Sequence, residues 1–453
     1  MNNRITQLKE MPPTDKPYVI YWMQASQRTE YNHALEYAIK KANELSKPLL
    51  VYFGLTADFP EANARHYAFM LQGLKEVEKE LGKRNIAFIL QKTSPEKGAL
   101  SLSEEAALMV VDRGYLRIER DWRKDIADQI SCPLVQIETN VIVPVEVASD
   151  KEEYAARTIR SKIHKQIDVY TEPFSENKVD RPSTDLDLPF EKIDLADIPS
   201  LLDDLGCDES VPPVDWITGG TSKAKKRLAD FIEQNLEDYA EKRNEPGLSI
   251  TSDMSPYLHF GQISPLYIYH QLEDVPASEN KKAFIEEVVV RRELSMNFVF
   301  YNNAYDTYDC LPDWARETLA DHADDERETA YSLLELETAD TGDPYWNAAQ
   351  SEMVKTGKMH GYMRMYWGKK IIEWTKTPED AFLRALYLNN KYHLDGRDPN
   401  SFTGIAWVFG KHDHGWKERP VFGKVRYMNA KGLERKFDMS AYLERVGKMA
   451  STD

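Results

Sequence analysis

Three stretches of this 453-residue sequence group side chains in ways that could do chemistry. Residues 251–264, TSDMSPYLHFGQIS, place the hydroxyls of Thr251, Ser252 and Ser255 directly ahead of Pro256. Proline suits the first residue of a helix, where free N–H groups and hydroxyls make a seat for a phosphate. The same residues would also serve as a plain helix cap. Trp367 and Trp374 are seven residues apart, so on a helix they share a face about 10 Å apart; packing alone accounts for most buried tryptophans. Finally, Lys391–Lys436 carries ten bases and five acids, with Trp416 inside its most basic loop, Lys411–Arg426. Basic residues interleaved with an aromatic suit phosphate contact and base stacking.

Elements must position these groups, and the first 150 residues supply one kind. Tyr18–Met23, Leu49–Leu55, Ile86–Gln91, Ala107–Asp112 and Leu134–Glu138 are short apolar runs. They alternate with amphipathic stretches such as His33–Ser46 and Ala62–Leu81, which predicts a doubly wound parallel sheet, Rossmann-like in class. No GxGxxG follows the first run, so an ordinary dinucleotide site is not supported there. Residues 172–215 hold 13 acids, three bases and six prolines and break the pattern, apart from a short helical turn near Ile198–Leu205. Beyond them, Ser222–Lys242, Ser255–Leu272, Lys281–Tyr301, Asn347–Thr356, His360–Trp374 and Thr377–Leu388 read as helices. The expected organisation is an α/β domain (1–150), an acidic linker (151–215) and an all-helical domain (216–453).

The net charge of −17 argues globally against a nucleic-acid partner. Yet 172–215 (−10) and 317–343 (−9) account for all of it, so a basic cleft elsewhere is not excluded. Three scattered cysteines form no CxxC pair and support neither a disulfide framework nor a zinc site. No run is long and apolar enough for a signal peptide or a membrane span, which points to a reducing, intracellular setting.

The motifs themselves resemble one family. TS followed by SPYLHFGQIS, KMHGYMRMYW (358–367), LDGRDPN (394–400) with GIAW (404–407), GKVRYM (423–428) and YWMQ (21–24) are similar to segments of the photolyase/cryptochrome family. Their spelling is that of class II cyclobutane pyrimidine dimer photolyases. The resemblance runs from residue 21 to 428 and implies an antenna-type α/β domain followed by a helical FAD-binding domain. It also implies light-driven repair of pyrimidine dimers in UV-damaged DNA by an electron from reduced FAD. The alternative is a cryptochrome-type blue-light receptor without repair.

Site residues follow from the resemblance. Tyr239, Thr251, Ser252, Asp253, Met254, Ser255, Arg292, Asn297, Arg364, Asn389, Asp395 and Gly396 would bind the flavin. Arg364 and Asp395 would pair beside it, and Asn389 would face its reactive edge. Read by themselves, Arg364 and Asp395 pass for surface charges and Asn389 for a helix C-cap. Glu287 would contact the dimer; a glutamate in an apolar helix needs such a reason. Asn244, either a lesion contact or a turn residue, joins Met365 and Trp407 on the substrate side. Trp416 and Arg426 would fill the gap a flipped-out dimer leaves, with His414 beside them. Trp367, Trp346 and then Trp374 or Tyr331 would relay an electron to oxidised flavin. No metal is implied, and a second chromophore of deazaflavin or folate type is. The resemblance further implies a monomer without membrane attachment, cytoplasmic and nucleoid-associated in a prokaryote or nuclear otherwise. The sequence departs from the family at His414, where relatives carry arginine, and at Ala25-Ser26 and His33 in the α/β part.

Overall fold

In the computed structural model, which describes residues 2–188 and 193–450, six strands form one sheet. They are β1 (Ile5–Lys9), β2 (Tyr18–Trp22), β3 (Leu49–Leu55), β4 (Ala87–Lys92), β5 (Ala106–Asp112) and β6 (Leu134–Ile137). Their order is β1-β6-β5-β2-β3-β4, parallel throughout except for β1, which runs antiparallel to β6. Every residue of β2, β3, β5 and β6 is buried, as the apolar runs require when helices cover both faces. Strand β1 went unread because ITQLK is partly exposed and mostly polar, the signature of a solvated edge. The chain winds one way from β2 to β4 and the other way to β5 and β6. That reversal opens a crevice at the carboxyl ends of β2 and β5.

The stretch 151–215 is more ordered than its composition implies. Helix Ala156–Tyr170 buries Ile159, Ile163 and Ile167, a stripe at four-residue spacing. Helix Ile198–Leu205 starts on the Asp197 side chain and stops at left-handed Gly206. Its Leu201, Leu202 and Leu205 join the core beneath helix Ala64–Lys83.

Among the later helices, three expected long ones are interrupted. Ser222–Lys242 is split into Thr221–Gln234, a 3-10 turn at Leu236–Asp238 and Tyr239–Lys242. Ser255–His259 and Pro265–Glu273 are separated at Gly261, whose φ is +65°. A Cβ there would lie 1.9 Å from the Ala25 carbonyl oxygen, so only glycine lets the two chain segments meet. Glu279–Ile285 continues into Arg292–Tyr301 through a π-helical stretch, Glu286–Arg291. Helices Pro344–Thr356, Gly361–Trp374, Pro378–Tyr392 and Pro399–Val408 complete a second core around Trp346 and Trp367, both fully buried. No helix among the described residues is long and apolar enough to cross a membrane.

Candidate functional site

Helix Gly361–Trp374 carries Arg364 toward the short loop that joins Pro378–Tyr392 to Pro399–Val408. There Arg364 Nη2 lies 3.5 Å from Asp395 Oδ1 and 3.3 Å from His393 Nδ1. Burial pushes the Asp395 carboxyl up, but the Arg364 guanidinium, His393 and a hydrogen bond from Ser255 hold it below the ordinary carboxylate range. Burial, reinforced by the Arg364 charge, drives His393 down to about 3. At neutral pH the centre is thus a fixed arginine–carboxylate pair beside a neutral imidazole. Ser255 ties it to the hydroxyl-rich segment that the sequence singled out.

Three polar atoms here are buried without a partner: Asn389 Oδ1, Arg364 Nε and His393 Nε2. Buried polar atoms are nearly always paired, so orphans gathered in one place mark where a ligand's polar edge belongs. Gly396 folds onto the end of helix Pro378–Tyr392, where a Cβ would lie 2.6 Å from the Asn390 carbonyl oxygen. Arg364 and Asp395 are brought together, Gly396 follows Asp395 in the loop, and Asn389 lies near the end of the helix onto which that loop folds; these groups fit the edge of a flavin.

The expected phosphate segment has its own cations. Lys358 Nζ donates to Thr251 Oγ1 over 3.0 Å and to Asp253. Arg227 Nη1 donates to Asp253 Oδ2 over 3.1 Å. Asp253, at φ +54°, balances both cations and also accepts from Thr251 Oγ1. Backbone strain of this kind gathers at ligand clamps. Met254 is buried, and Ser252 is half-buried beside it.

Four rings run from the core toward the surface. Trp367 and Trp346 stack with centroids 6.4 Å apart and planes 8° from parallel. Trp374 meets Trp346 edge-on at 5.4 Å, and Tyr331 meets Trp374 at 4.9 Å. Trp367 Nε1 donates to Gln350 Oε1, and Trp346 Nε1 donates to the Trp367 carbonyl, so neither ring can rotate freely.

Glu287 lies in the π-helical stretch, a distortion frequent at functional sites. Its carboxylate pairs with Arg243 at 2.7 Å and Arg291 at 3.4 Å. Arg291 in turn sits 6.0 Å above the half-buried Trp407 ring. Met365 is half-buried and Asn244 is exposed next to Arg243. In the basic loop the exposed Trp416 ring stacks on His414 at 5.0 Å and lies under the Arg426 guanidinium at 4.6 Å. The three loop residues named from the sequence form one exposed aromatic and cationic stack.

Other residues are placed elsewhere. Asn297 holds the main chain, donating to the Lys151 carbonyl and accepting from Glu153 N–H. These two bonds fasten the 151–153 turn. Arg292 donates to the Asn140 carbonyl and lines a separate cavity of about 140 Å³ at the crevice of the sheet. Gln24, Ala25 and Gln27 from the end of β2 share that lining. Tyr239 packs edge-on against Phe231 and Phe284 beside Arg243. Sequence reading missed Arg243, Lys358, Arg227 and His393 as site residues. Ion pairs between distant segments leave no local pattern; only Lys358 and His393, inside or beside quoted motifs, carried a signal.

Comparison with known proteins agrees with this geometry. The DNA photolyase family model matches residues 19–179. A deoxyribodipyrimidine photo-lyase of Methanothermobacter thermautotrophicus is 52% identical, covering 96% of this chain and 96% of its own. One from Potorous tridactylus is 42% identical over 94% of this chain and 81% of its own. Among solved structures, an archaeal photolyase from Sulfolobus tokodaii with two FAD molecules superposes with a TM-score of 0.70 at 17% identity, covering 96% of this chain and 91% of that one. With near full-length identity to named photo-lyases, the chain belongs to the photolyase/cryptochrome family.

Proposed function

We propose that this protein is a deoxyribodipyrimidine photo-lyase of class II type, repairing cyclobutane pyrimidine dimers in DNA with light. The observation that carries the reading is the Arg364–Asp395 pair, with the unpartnered Asn389 Oδ1 near the end of the helix that leads into the same loop. The chemistry that bound, reduced FAD supplies is a photoexcited electron, passed to the dimer and returned once the cyclobutane ring has opened. Everything else is positioning and electrostatics by the chain.

The Arg364–Asp395 pair holds fixed charges against the ring, and Asn389 offers it an amide. Thr251, Ser252 and Ser255, with Lys358 and Arg227 close by, hold the diphosphate. Glu287 receives the flipped dimer while Arg243 and Arg291 neutralise the carboxylate and orient it. Trp407 and Met365 wall the pocket, and Trp416 with Arg426 occupies the gap left in the duplex. Trp367, three residues beyond Arg364 on the same helix, starts a hole path through Trp346 to Trp374 and Tyr331. In this reading a second chromophore of deazaflavin or folate type belongs at the crevice of the sheet, the first 150 residues collect light and residues 216–453 repair.

The test incubates the reduced protein with an oligonucleotide containing one dimer, in light and in darkness. Restored pyrimidines in light alone are expected. No light-dependent restoration by a flavin-loaded chain overturns the reading in favour of a photoreceptor without repair.

A further inference from the structure

Asn389 has one functional atom without a partner, and its neighbours decide which atom that is. The Arg397 main-chain N–H can only donate, and it points at Asn390 Oδ1 over 3.0 Å. The other end of that amide, Nδ2, therefore faces Glu61 Oε2 and donates to it over 2.6 Å. The Ser401 hydroxyl gives its single hydrogen to the same Asn390 oxygen over 2.9 Å. A lone pair remains on Ser401 Oγ, and Asn389 Nδ2 donates into it. Asn389 Nδ2 also lies 3.3 Å from Asn390 Oδ1. Both ends of the argument agree, because Oδ1 is the Asn389 atom left buried and unpartnered.

Turning the amide over is unfavourable for a definite reason. Its oxygen would then stand against the Asn390 oxygen at the 3.3 Å that Nδ2 now spans, an acceptor facing an acceptor. An amide's orientation is usually an assignment from its surroundings. Here the surroundings end in the Arg397 backbone N–H, which can only donate and so fixes the Asn390 amide. Glu61 belongs to the turn ahead of helix Ala64–Lys83, so the relay begins more than 300 residues from the amide it orients.

We infer that Ser401, Asn390 and Glu61 are positioning residues that lock the Asn389 amide with its oxygen toward the flavin. The locked oxygen accepts from the ring nitrogen that carries hydrogen when the flavin is reduced. It opposes the lone pair that the same nitrogen presents when the flavin is oxidised. The site therefore selects reduced flavin before any light arrives. This rests on the flavin placement proposed above.

The experiment titrates the flavin-loaded full chain anaerobically against reference dyes and reads its preference for reduced over oxidised flavin. Ser401→Ala removes the acceptor that holds Nδ2, and the preference for reduced flavin is expected to fall about tenfold, the worth of one hydrogen bond. Ser401→Thr keeps the hydroxyl and is expected to restore it. Glu61→Ala, which leaves Ser401 in place, gives a second reading, a smaller fall in the same direction that stands even where Ser401→Ala fails to load. An unchanged preference in the loaded variants overturns the lock and leaves the photo-lyase reading intact. A wild-type chain that takes up no flavin overturns both.

Discussion

Trp346 shows how packing and the proposed electron transfer can be served by one side chain. It is fully buried, stacked nearly parallel to Trp367 and edge-on to Trp374. A rigid, dry ring pair is what a core wants, and it is also what a short hole path needs. Trp346→Phe keeps an aromatic ring but removes one that is easy to oxidise. Illumination of the oxidised, flavin-loaded variant should reduce its flavin more slowly by well over tenfold, since each 1.4 kcal/mol added to a barrier is a factor of ten. Repair by chemically reduced variant should keep its wild-type rate, because the ring lies away from the lesion side. Absorbance during illumination gives the first quantity and dimer loss the second. At this scale the sequence was partly legible. The seven-residue spacing of Trp367 and Trp374 is visible without any relative, whereas the pairing of Glu287 with Arg243, 44 positions away, is not.

At the scale of elements, the acidic stretch 317–343 acquires a use that its composition did not suggest. Its first half braces the basic loop from behind. Thr318 Oγ1 accepts from Lys424 N–H at 2.9 Å, and Asp325 Oδ2 accepts from Val421 N–H at 2.8 Å. His322 bridges Asp325 at 2.5 Å and Glu418 at 3.1 Å, while Arg327 holds the turn through the His322, Ala323 and Asp325 carbonyls. Hydrogen bonds to Asp325 and then Glu418 raise the His322 pKa above its ordinary value. The bridge is therefore complete below the ordinary histidine value and is lost as pH rises through the raised one. Affinity for dimer-containing DNA should fall several-fold across that rise as the loop loosens, and His322→Gln should flatten the dependence. Binding curves taken at a series of pH values would show it; an unchanged pH dependence in the variant would remove His322 from the account. Strands β2 to β6 were legible because buried parallel strands are continuous apolar runs. The π-helical stretch and the break at Gly261 were not, since both depend on what another segment places against them.

For the whole molecule, the −17 charge is a poor guide because it is an average over opposing surfaces. The stretch 317–343 lies behind the loop that carries Trp416 and Arg426, so the field changes sign across a short distance. Each loop cation that meets a phosphate should contribute one released counterion. Lys417→Ala is expected to reduce the slope of log affinity against log salt by about 0.9, with little effect on discrimination between damaged and intact DNA. Filter binding across a salt series measures both, and an unaltered slope would place Lys417 off the DNA.

The turn after β2 has a consequence for how this protein can change. Its contact with Gly261 is made by the Ala25 carbonyl, and Asp112 grips it through the N–H groups of Gln24, Ala25 and Ser26. Much of the anchoring is main chain, while the Ala25 side faces the cavity. Position 25 can thus be rewritten to reshape the cavity without disturbing the seam between sheet and helices. Under the proposed second-chromophore role, architecture and choice of pigment separate at this turn.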